Sequence, residues 1–440
     1  MKLIDREWVS KAPKLSHVAP FDGIRGFGIF GVMIGHSYPL DTLSFAGIVD
    51  IFFVISGFLI TSLLLQEQRS YGRIDLKKFY ARRSLRLLPL LYVMLVVVGI
   101  AGVAAKYAGL LDGTVYTMRE LAKETVAAGF YVHNVFYPLL TGPWHAHLWT
   151  LSVEEQFYLV VGIFMLVALK RGGIRVVAGI LVFLVLAIQL SRGFGFTGPL
   201  KGPVLAVWLQ RPDSLMVGML CAIVNANLAG PLSERTKRIL SIGGYVGIVG
   251  IFVAVWASSS FARNQLNIHV PFWPGDANYV ADPEATVRAL VDQPGWRLDL
   301  SGGPYWLQWG FSLSSWSFFL VTLPAFRVPE WGPNRLMSIK PLVMVGGLLS
   351  YGLYLWHYPV QHFTRIIVGT VETGRAGDHY RMDMNPYLQL ALDVVLPFML
   401  AVPTYFLVEK KALQLKDRFQ VERAAKAEAR VDAADPSSLG

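Results

Sequence analysis

Cysteine and charge are both scarce in this chain of 440 residues. Cys221 is the single cysteine, which excludes an intrachain disulfide and a zinc site built from several thiolates. Only 16% of the residues are charged, against about 25% in a typical soluble domain, whereas 54% are hydrophobic. Long apolar runs remain between the charges. These properties indicate a protein that crosses a membrane several times.

Negative charge is the scarcer sign, with 30 Asp and Glu against 40 Lys and Arg and a formal net charge of +10. A basic soluble protein would suggest a nucleic-acid partner. Here the Lys and Arg residues lie in short segments between apolar runs, as the positive-inside rule requires. We therefore expect membrane lipids and an anionic ligand as partners, and no nucleic acid.

Ten apolar runs approach the roughly 20 residues that a membrane span needs. The run at 341–369 is too long for one straight span, so we expect it to be tilted or broken. The sequence thus predicts an all-α polytopic membrane protein with about ten transmembrane helices. The predicted spans are about 21–40, 45–66, 87–106, 148–169, 174–191, 204–225, 239–258, 305–325, 341–369 and 388–408.

Loop charge predicts the orientation of these spans. The loop at 67–86 is the most basic of them and is expected to face the cytoplasm, together with both termini. This gives a cytoplasmic N-terminal segment at 1–20, a membrane domain at 21–408 and a basic, partly disordered tail at 409–440. The segment at 259–304 is predicted to be a long extracytoplasmic loop. The N-terminal segment has no apolar core, so we do not expect a cleaved signal peptide.

The first span carries two ionisable groups, Arg25 and His36, in a run that is otherwise apolar. They are eleven residues apart, which is about three turns and about 16 Å along a helix, so they share one face. Ionisable groups within a bilayer are costly and usually face a cavity or a partner. The alternative is that Arg25 reaches the headgroups and that His36 is a packed core histidine.

The stretch HAHLWTLSVEEQFY places two carboxylates, Glu154 and Glu155, one to two turns after His147. A buried carboxylate that orients an imidazole is a common component of acid–base catalysis. One alternative is a structural carboxylate paired with an arginine. Another is a metal site that includes His145, but the sequence supplies no clear third ligand, so no metal is expected.

The basic sequence FYARRSLRLLP precedes the third span and contains Arg82, Arg83 and Arg86. Guanidinium groups match the geometry of phosphates, so these residues and Arg25 predict an anion site at the cytoplasmic face. Ordinary positive charge on an inner loop is the alternative.

Six further polar residues lie in or beside the apolar runs. Taken alone, Ser56 suits a helix contact, Arg211 and Asp213 suit a local ion pair, and His357 suits a packed histidine. The six are Asp50, Ser56, Arg211, Asp213, Tyr351 and His357.

These motifs, taken in order, resemble the membrane acyltransferase 3 family, the integral membrane O-acyltransferases of bacteria. The resemblance covers residues from about 18 to 410. It rests on Arg25 with His36, VDIFFVISGFLI (49–60), FYARRSLRLLP (79–89), HLWTLSVEEQFY (147–158), RPDSLMVGML (211–220) and SYGLYLWHYP (350–359).

The resemblance implies a ten-helix enzyme of the bacterial cytoplasmic membrane. It would move an acyl group, with acetyl favoured, from cytoplasmic acyl-CoA to a hydroxyl of a glycan, glycolipid or small product. His36 matches the essential histidine and is expected to be the general base, with Glu154 or Glu155 as its partner and His147 beside them. Arg25, Arg82, Arg83 and Arg86 would serve the CoA side, and the six further polar residues would line the substrate region.

Some members of this family carry a fused hydrolase-like domain after an eleventh helix. We expect none in this chain, so any such partner would be a separate extracytoplasmic protein. The loop at 259–304 matches no motif and is expected to influence the choice of acceptor. Direct transfer and transfer through an acyl-histidine both remain open.

A transporter or channel is the alternative from a different class, since it would use the same Arg, His and Glu as an ion or proton path. Such a protein usually shows paired broken helices in two related halves, and the sequence shows no such repeat.

Overall fold

The computed structural model describes residues 9–15, 17–37, 47–112, 117–137, 144–171, 173–194, 207–258, 306–374, 377–381 and 384–415. The predicted extracytoplasmic loop at 259–304 lies outside the described residues. Of the predicted C-terminal tail, residues 409–415 are described, and the rest lies outside them as well.

Helices dominate the described chain. The first part contains α1 (Ala19–Gly35), α2 (Asp50–Tyr71), α3 (Leu76–Tyr107), α4 (Met118–Gly129), α5 (His133–Phe136), a 3-10 turn (Ala146–Leu148), α6 (Trp149–Arg171) and α7 (Gly173–Phe194). The second part contains α8 (Pro212–Asn227), α9 (Glu234–Ala257), α10 (Trp306–Arg327), α11 (Gly332–Met337), α12 (Lys340–Met344), α13 (Ser350–Val368), β1 (Thr370–Gly374), β2 (Gly377–Arg381) and α14 (Pro386–Thr404).

Every predicted span overlaps one of these helices. Among the described residues, six helices are long and apolar enough to cross a membrane: Asp50–Tyr71, Leu76–Tyr107, Ala146–Lys170, Gly173–Gly193, Glu234–Ala257 and Pro386–Leu415. Shorter members such as α1, with 17 residues, fall below the length of a full span. The helical, multi-pass character is therefore confirmed, and the number of ten spans stays a prediction.

The long apolar run at 341–369 is interrupted, as the sequence predicts. A π-helical segment, Val345–Leu349, separates α12 from α13. Single π turns inside helices widen the backbone locally and often occur at functional sites. This segment packs directly on α1, since a Cβ atom on Gly346 would lie 1.6 Å from the backbone oxygen of Asp22. A second π-helical segment, Tyr405–Glu409, ends α14.

A short β-hairpin follows α13 and departs from the purely helical prediction. Strands β1 and β2 pair antiparallel, from Thr370 opposite Arg381 to Gly374 opposite Gly377. The strand residues Thr370 and Val371 are β-branched, and β-branched residues favour strands. The hairpin lies in the segment predicted to face the outside, between the last two spans.

Helix α1 occupies the interior of the bundle. It contacts α2, α12, α13 and α14, as well as the first π-helical segment. The residues Ile29, Val32 and Met33 are almost completely buried. The helix that carries Arg25 and His36 is therefore surrounded by protein along much of its length.

Helices α2 and α8 pack backbone to backbone through glycines. A Cβ atom on Gly57 would lie 2.1 Å from the backbone oxygen of Leu215, and one on Gly218 would lie 2.2 Å from that of Val54. Small residues permit this close approach between membrane helices. The contact brings Asp50, at the start of α2, beside the start of α8.

Helix α3 begins at a defined cap. The side chain of Asp75 accepts a hydrogen bond of 3.1 Å from the backbone N–H of Lys78. This bond, which favours the carboxylate, lowers the pKa of Asp75 below its ordinary value. The capped start places the basic residues of FYARRSLRLLP on the first turns of α3 itself.

Candidate active site

Three histidines from separate motifs meet inside the bundle and form the histidine cluster, defined as His36, His147 and His357. The ring centroid of His357 lies 5.1 Å from that of His36 and 5.3 Å from that of His147. Tyr358 contacts both outer members, at 5.6 Å from His36 and 5.0 Å from His147. The cluster therefore joins the end of α1, the turn before α6 and the middle of α13.

His36 is held at the C-terminal end of α1. Its Nδ1 atom lies 2.9 Å from the backbone oxygen of Val32 and 3.3 Å from Nε2 of His357. The backbone oxygen of His36 accepts a hydrogen bond of 3.3 Å from Arg365. These contacts fix both the backbone and the ring, and the side chain remains only partly buried.

His147 is 2% exposed, and neither ring nitrogen has a hydrogen-bond partner among the described residues. Its backbone oxygen accepts a hydrogen bond from the hydroxyl of Tyr354, which also bonds Thr150. A buried donor or acceptor without a partner costs about 1–3 kcal/mol, so such groups call for an explanation. A bound substrate that pairs with His147 would supply one.

A buried ion pair contacts the backbone at His36 and the adjacent Ser37. Arg365 lies 3.1 Å from Asp393, and Asp393 also accepts a hydrogen bond of 2.7 Å from Ser37. Both residues are nearly inaccessible to solvent. This pair belongs to none of the predicted site residues, although Arg365 and Asp393 are each an isolated charge within an apolar run, which is the signal that could have indicated them.

Glu154 and Glu155 lie with arginine and not with the histidine cluster, which corrects the predicted histidine–carboxylate pairing. Arg83 lies 3.3 Å from Glu155 and 3.8 Å from Glu154. Glu154 also accepts a hydrogen bond of 2.5 Å from Ser56 and another from Tyr158. The physical reason is axial distance, since seven helical residues after His147 amount to about 10 Å.

The four predicted donor-side arginines are not equivalent. Arg25 donates a hydrogen bond of 3.0 Å to Ser350 and lies 3.8 Å from Asp22. Arg86 lies within electrostatic range of Arg25. Arg82 points outward, with a 38% exposed side chain 3.6 Å from Glu67.

Glu409 lies close enough to Arg25 and Arg86 to attract both. One of its carboxylate oxygens is buried without a partner among the described residues. Arg25 and Arg86 therefore both lie within electrostatic range of Glu409, whereas the carboxylate beside Arg82 is that of Glu67.

Asp50, Arg211 and Asp213 are arranged differently from the predicted local ion pair. Arg211 forms an ion pair of 3.3 Å with Asp50. Asp213 instead forms a fully buried ion pair of 2.8 Å with Arg192. Arg211, which precedes α8, adopts a left-handed backbone conformation with φ of +50°, which is uncommon for a residue other than glycine. Ser214 completes the group with a hydrogen bond of 2.8 Å to Asp50. Arg192 is a partner that the sequence analysis missed.

Tyr351 serves the packing of the bundle. Its hydroxyl donates a hydrogen bond of 2.7 Å to the backbone oxygen of Leu87, which joins α13 to α3. Within the described ranges, no group of three or more His, Cys, Asp and Glu side chains is arranged to hold a metal ion.

The fold and the site define a multi-pass membrane protein whose reactive side chains meet inside a helical bundle. A family model described as an acyltransferase domain, acyltransferase 3, matches residues 18–407. The chain therefore belongs to the acyltransferase 3 family, as its motifs predict.

Relatives with this similarity include two bacterial O-acetyltransferases. The peptidoglycan O-acetyltransferase OatA of Listeria monocytogenes is 28% identical over 368 residues, which are 78% of this chain and 49% of the relative. The O-acetyltransferase OatA of Staphylococcus aureus strain NCTC 8325 is 26% identical over 404 residues, which are 88% of this chain and 56% of the relative. The chain spans about half the length of the curated relatives it matches. No solved structure matches.

Proposed function

We propose that this protein is a membrane O-acetyltransferase that takes an acetyl group from cytoplasmic acetyl-CoA and passes it to a hydroxyl of a glycan, glycolipid or small product. Membership of the acyltransferase 3 family and the names of the relatives support this class of reaction. The observation that carries the proposal is the convergence of His36 and His147 on one buried site. Arg25 lies on the same helix as His36, about 16 Å away.

The donor is held at the Arg25 end of α1. CoA carries several phosphates, and guanidinium groups bind phosphate through paired N–H donors. Arg25 and Arg86, which lie within electrostatic range of each other, are the best-placed members of the predicted set. The pantetheine arm of CoA is long enough to carry the thioester from this end toward the histidine cluster.

The chemistry takes place at His36. Its Nε2 atom takes the proton from the acceptor hydroxyl while the hydroxyl oxygen attacks the thioester carbon. The carbon–sulfur bond then breaks, and CoA leaves as the thiol after it receives that proton from the imidazolium. The products are the acetyl ester of the acceptor and free CoA, so atoms and charge balance.

His147 would bind the reacting groups opposite His36. Its two ring nitrogens, which have no partner among the described residues, can pair with the thioester oxygen or with the acceptor hydroxyl. A donor aimed at the carbonyl oxygen stabilises the charge that develops there in the transition state. The proposed site therefore has a base on one side and a polar anchor on the other.

Orientation follows from the same proposal. About ten spans with both termini in the cytoplasm place Arg25 at the inner face and His36 toward the outer face of the bacterial cytoplasmic membrane. The reaction would then deliver acetyl groups toward extracytoplasmic acceptors. The peptidoglycan named for the Listeria relative is a first acceptor to test.

The test is acetyl transfer in proteoliposomes. Purified protein is supplied with radiolabelled acetyl-CoA and glycan strands of peptidoglycan, and base-labile acetate on the glycan is counted. We expect transfer by the wild type and a loss of at least about 100-fold in both His36→Ala and His36→Gln, because a positioned base contributes about 10²–10⁴-fold to the rate. His36→Gln keeps most of the volume and polarity of the side chain, so its inactivity would exclude a cavity effect. Transfer by His36→Gln at the wild-type rate would contradict the proposal.

A further inference from the structure

His357 lies at the centre of the histidine cluster, fully buried, and the proposed reaction does not yet assign it a role. It is the member that contacts both others, and it lies on α13 between the end of α1 and the turn before α6. Its ring nitrogens have different surroundings. These surroundings determine where its proton lies.

The Nδ1 atom of His357 faces two backbone carbonyls of its own helix. It lies 2.7 Å from the oxygen of Tyr354 and 3.2 Å from that of Leu353. Carbonyl oxygens only accept hydrogen bonds, so Nδ1 of His357 carries the hydrogen. In the neutral ring, Nε2 of His357 is then the lone pair, and it points at His36.

The surroundings of His36 fix the position of its proton in the same way. Its Nδ1 atom faces the backbone oxygen of Val32 at 2.9 Å and Nε2 of His357 at 3.3 Å. Both partners are acceptors, so Nδ1 of His36 carries the hydrogen and shares it between them. The free lone pair of His36 is therefore on Nε2, on the side of the ring away from these two partners.

We propose that His357 is a positioning residue that, together with the backbone oxygen of Val32, holds His36 in the Nδ1–H tautomer, so that Nε2 of His36 is the atom that accepts the proton. This inference rests on the proposed function, in which His36 is the general base. It assigns to a neutral imidazole the task that a carboxylate performs in many catalytic histidine pairs.

The carboxylates near the site are engaged elsewhere. Glu154 and Glu155 lie with Arg83, and Asp393 lies with Arg365 and Ser37. A neutral partner also keeps a buried site uncharged while His36 is unprotonated, which avoids the desolvation of an extra charge. When His36 takes the proton, its bond to His357 becomes charge-assisted and stronger.

The test measures the reactivity of the His36 lone pair directly and needs no acceptor. Diethyl pyrocarbonate ethoxycarbonylates an unprotonated imidazole nitrogen, and mass spectrometry of peptides gives the rate at His36 alone. We compare wild type with His357→Leu, which removes the acceptor, and with His357→Gln, whose amide oxygen can still accept from His36. Thr364→Val is the matched control on α13, because within the described part of the chain the Thr364 hydroxyl bonds the oxygen of Val360 in its own helix and no group of the histidine cluster.

We expect His357→Leu to lower the rate at His36 about tenfold, the size of effect that one hydrogen bond to a charged group supports. The rate at His36 in His357→Gln should stay within about threefold of the wild-type rate. The rate in Thr364→Val should equal the wild-type rate. An unchanged rate in His357→Leu would overturn the proposal, as would an equal loss in His357→Gln. If His357→Leu does not elute as a single species in detergent, His357→Asn replaces it, since the shorter amide cannot reach His36.

The split of kinetic constants gives a second readout. A positioning role predicts that His357→Leu lowers kcat for acetyl transfer with little change in the KM for acetyl-CoA. A raised KM with unchanged kcat would show a binding role instead and overturn the inference. If His357→Leu lowers the reactivity of His36 but the wild type transfers no acetyl group, the proposed function is overturned and the role of His357 is not. Failure of the inference and failure of the proposed function are therefore distinguishable.

Discussion

Arg83 is the arginine of the FYARRSLRLLP motif that is least free to bind a phosphate. Its guanidinium lies over the ring of Tyr158, 3.2 Å from the centroid, and contacts both Glu154 and Glu155. Removal of Arg83 would leave two carboxylates with no other cation within 4 Å among the described residues. The role of this residue is therefore to keep Glu154 and Glu155 in place.

Arg83→Gln should accordingly lower stability, whereas Arg82→Gln should not. The Arg83 side chain is 19% exposed and contacts two carboxylates, whereas that of Arg82 is 38% exposed and contacts Glu67 alone. Because loss of one partner costs about 3 kcal/mol for a buried ion pair and at most about 1 kcal/mol for a surface pair, the loss of Arg83 should cost more than the loss of Arg82. Intrinsic tryptophan fluorescence during heating in detergent measures this. We expect the unfolding midpoint to fall by several degrees for Arg83→Gln and by less than about one degree for Arg82→Gln. Equal midpoints for the two variants would contradict this account of Arg83.

The sequence alone predicts only some of the residues that form the candidate active site. Arg25, His36 and His147 are recognisable from sequence, because each is an ionisable group in an apolar run. The partners are not, because they come from helices hundreds of residues apart, as with His36 and His357. Asp393 carried the same signal as His36 and was missed because it belongs to no motif.

At the scale of elements, the close contact between α1 and the first π-helical segment sets the position of Arg25. Gly346 permits this contact, and the segment leads directly into Ser350, the hydrogen-bond partner of Arg25. A side chain at this glycine would push α1 away and separate Arg25 from Ser350.

Gly346→Ala is therefore expected to prevent correct assembly, whereas Gly99→Ala should be tolerated. A Cβ atom at Gly99 meets nothing within 4 Å, and alanine at a helical position adds about 1 kcal/mol of helix propensity over glycine. Size-exclusion chromatography of detergent extracts measures the yield of the single folded species. We expect a severe loss for Gly346→Ala and a wild-type yield for Gly99→Ala. Normal yield and acetyl-CoA affinity in Gly346→Ala would show that the contact is dispensable.

Hydropathy located the helices well because lipid allows few other structures to the backbone. The length of the run at 341–369 also revealed that it could not be one straight helix. The sequence could not show that the interruption is a π turn, because that depends on Gly346 meeting α1. The β-hairpin after α13 was not predicted because its two strands, Thr370–Gly374 and Gly377–Arg381, are only five residues long each and give a weak pattern between two long apolar runs.

For the whole molecule, the proposed orientation places the connection between α2 and α3 in the cytoplasm and the residues after α3 outside. Cys221, the single cysteine, is completely buried, so the unmodified chain should not react with a thiol-specific label. Ser70 and Ala108 are both exposed, and the proposed orientation places Ser70 on the cytoplasmic side of the membrane and Ala108 on the outer side.

Ser70→Cys should react with a membrane-impermeant maleimide only after the cells are opened, whereas Ala108→Cys should react in intact cells. The reason is the excess of Lys and Arg in the segment that contains Ser70. The unmodified chain is the control and should remain unlabelled in both conditions. Labelling of Ser70→Cys in intact cells would reverse the orientation and move Arg25 away from cytoplasmic acetyl-CoA.

The central claim is that α1 has two separate roles. Acetyl-CoA binds at its Arg25 end, and acetyl transfer takes place at its His36 end. Calorimetric titration of acetyl-CoA into purified wild type, Arg25→Ala, Ser350→Ala and His36→Ala tests it most directly. We expect Arg25→Ala to weaken binding at least tenfold, because it removes a charged contact to phosphate. Ser350→Ala, which removes only the neutral partner of Arg25, and His36→Ala should both bind within about threefold of wild type. Equal losses of binding in Arg25→Ala and His36→Ala, or an unchanged affinity in Arg25→Ala, would contradict the claim.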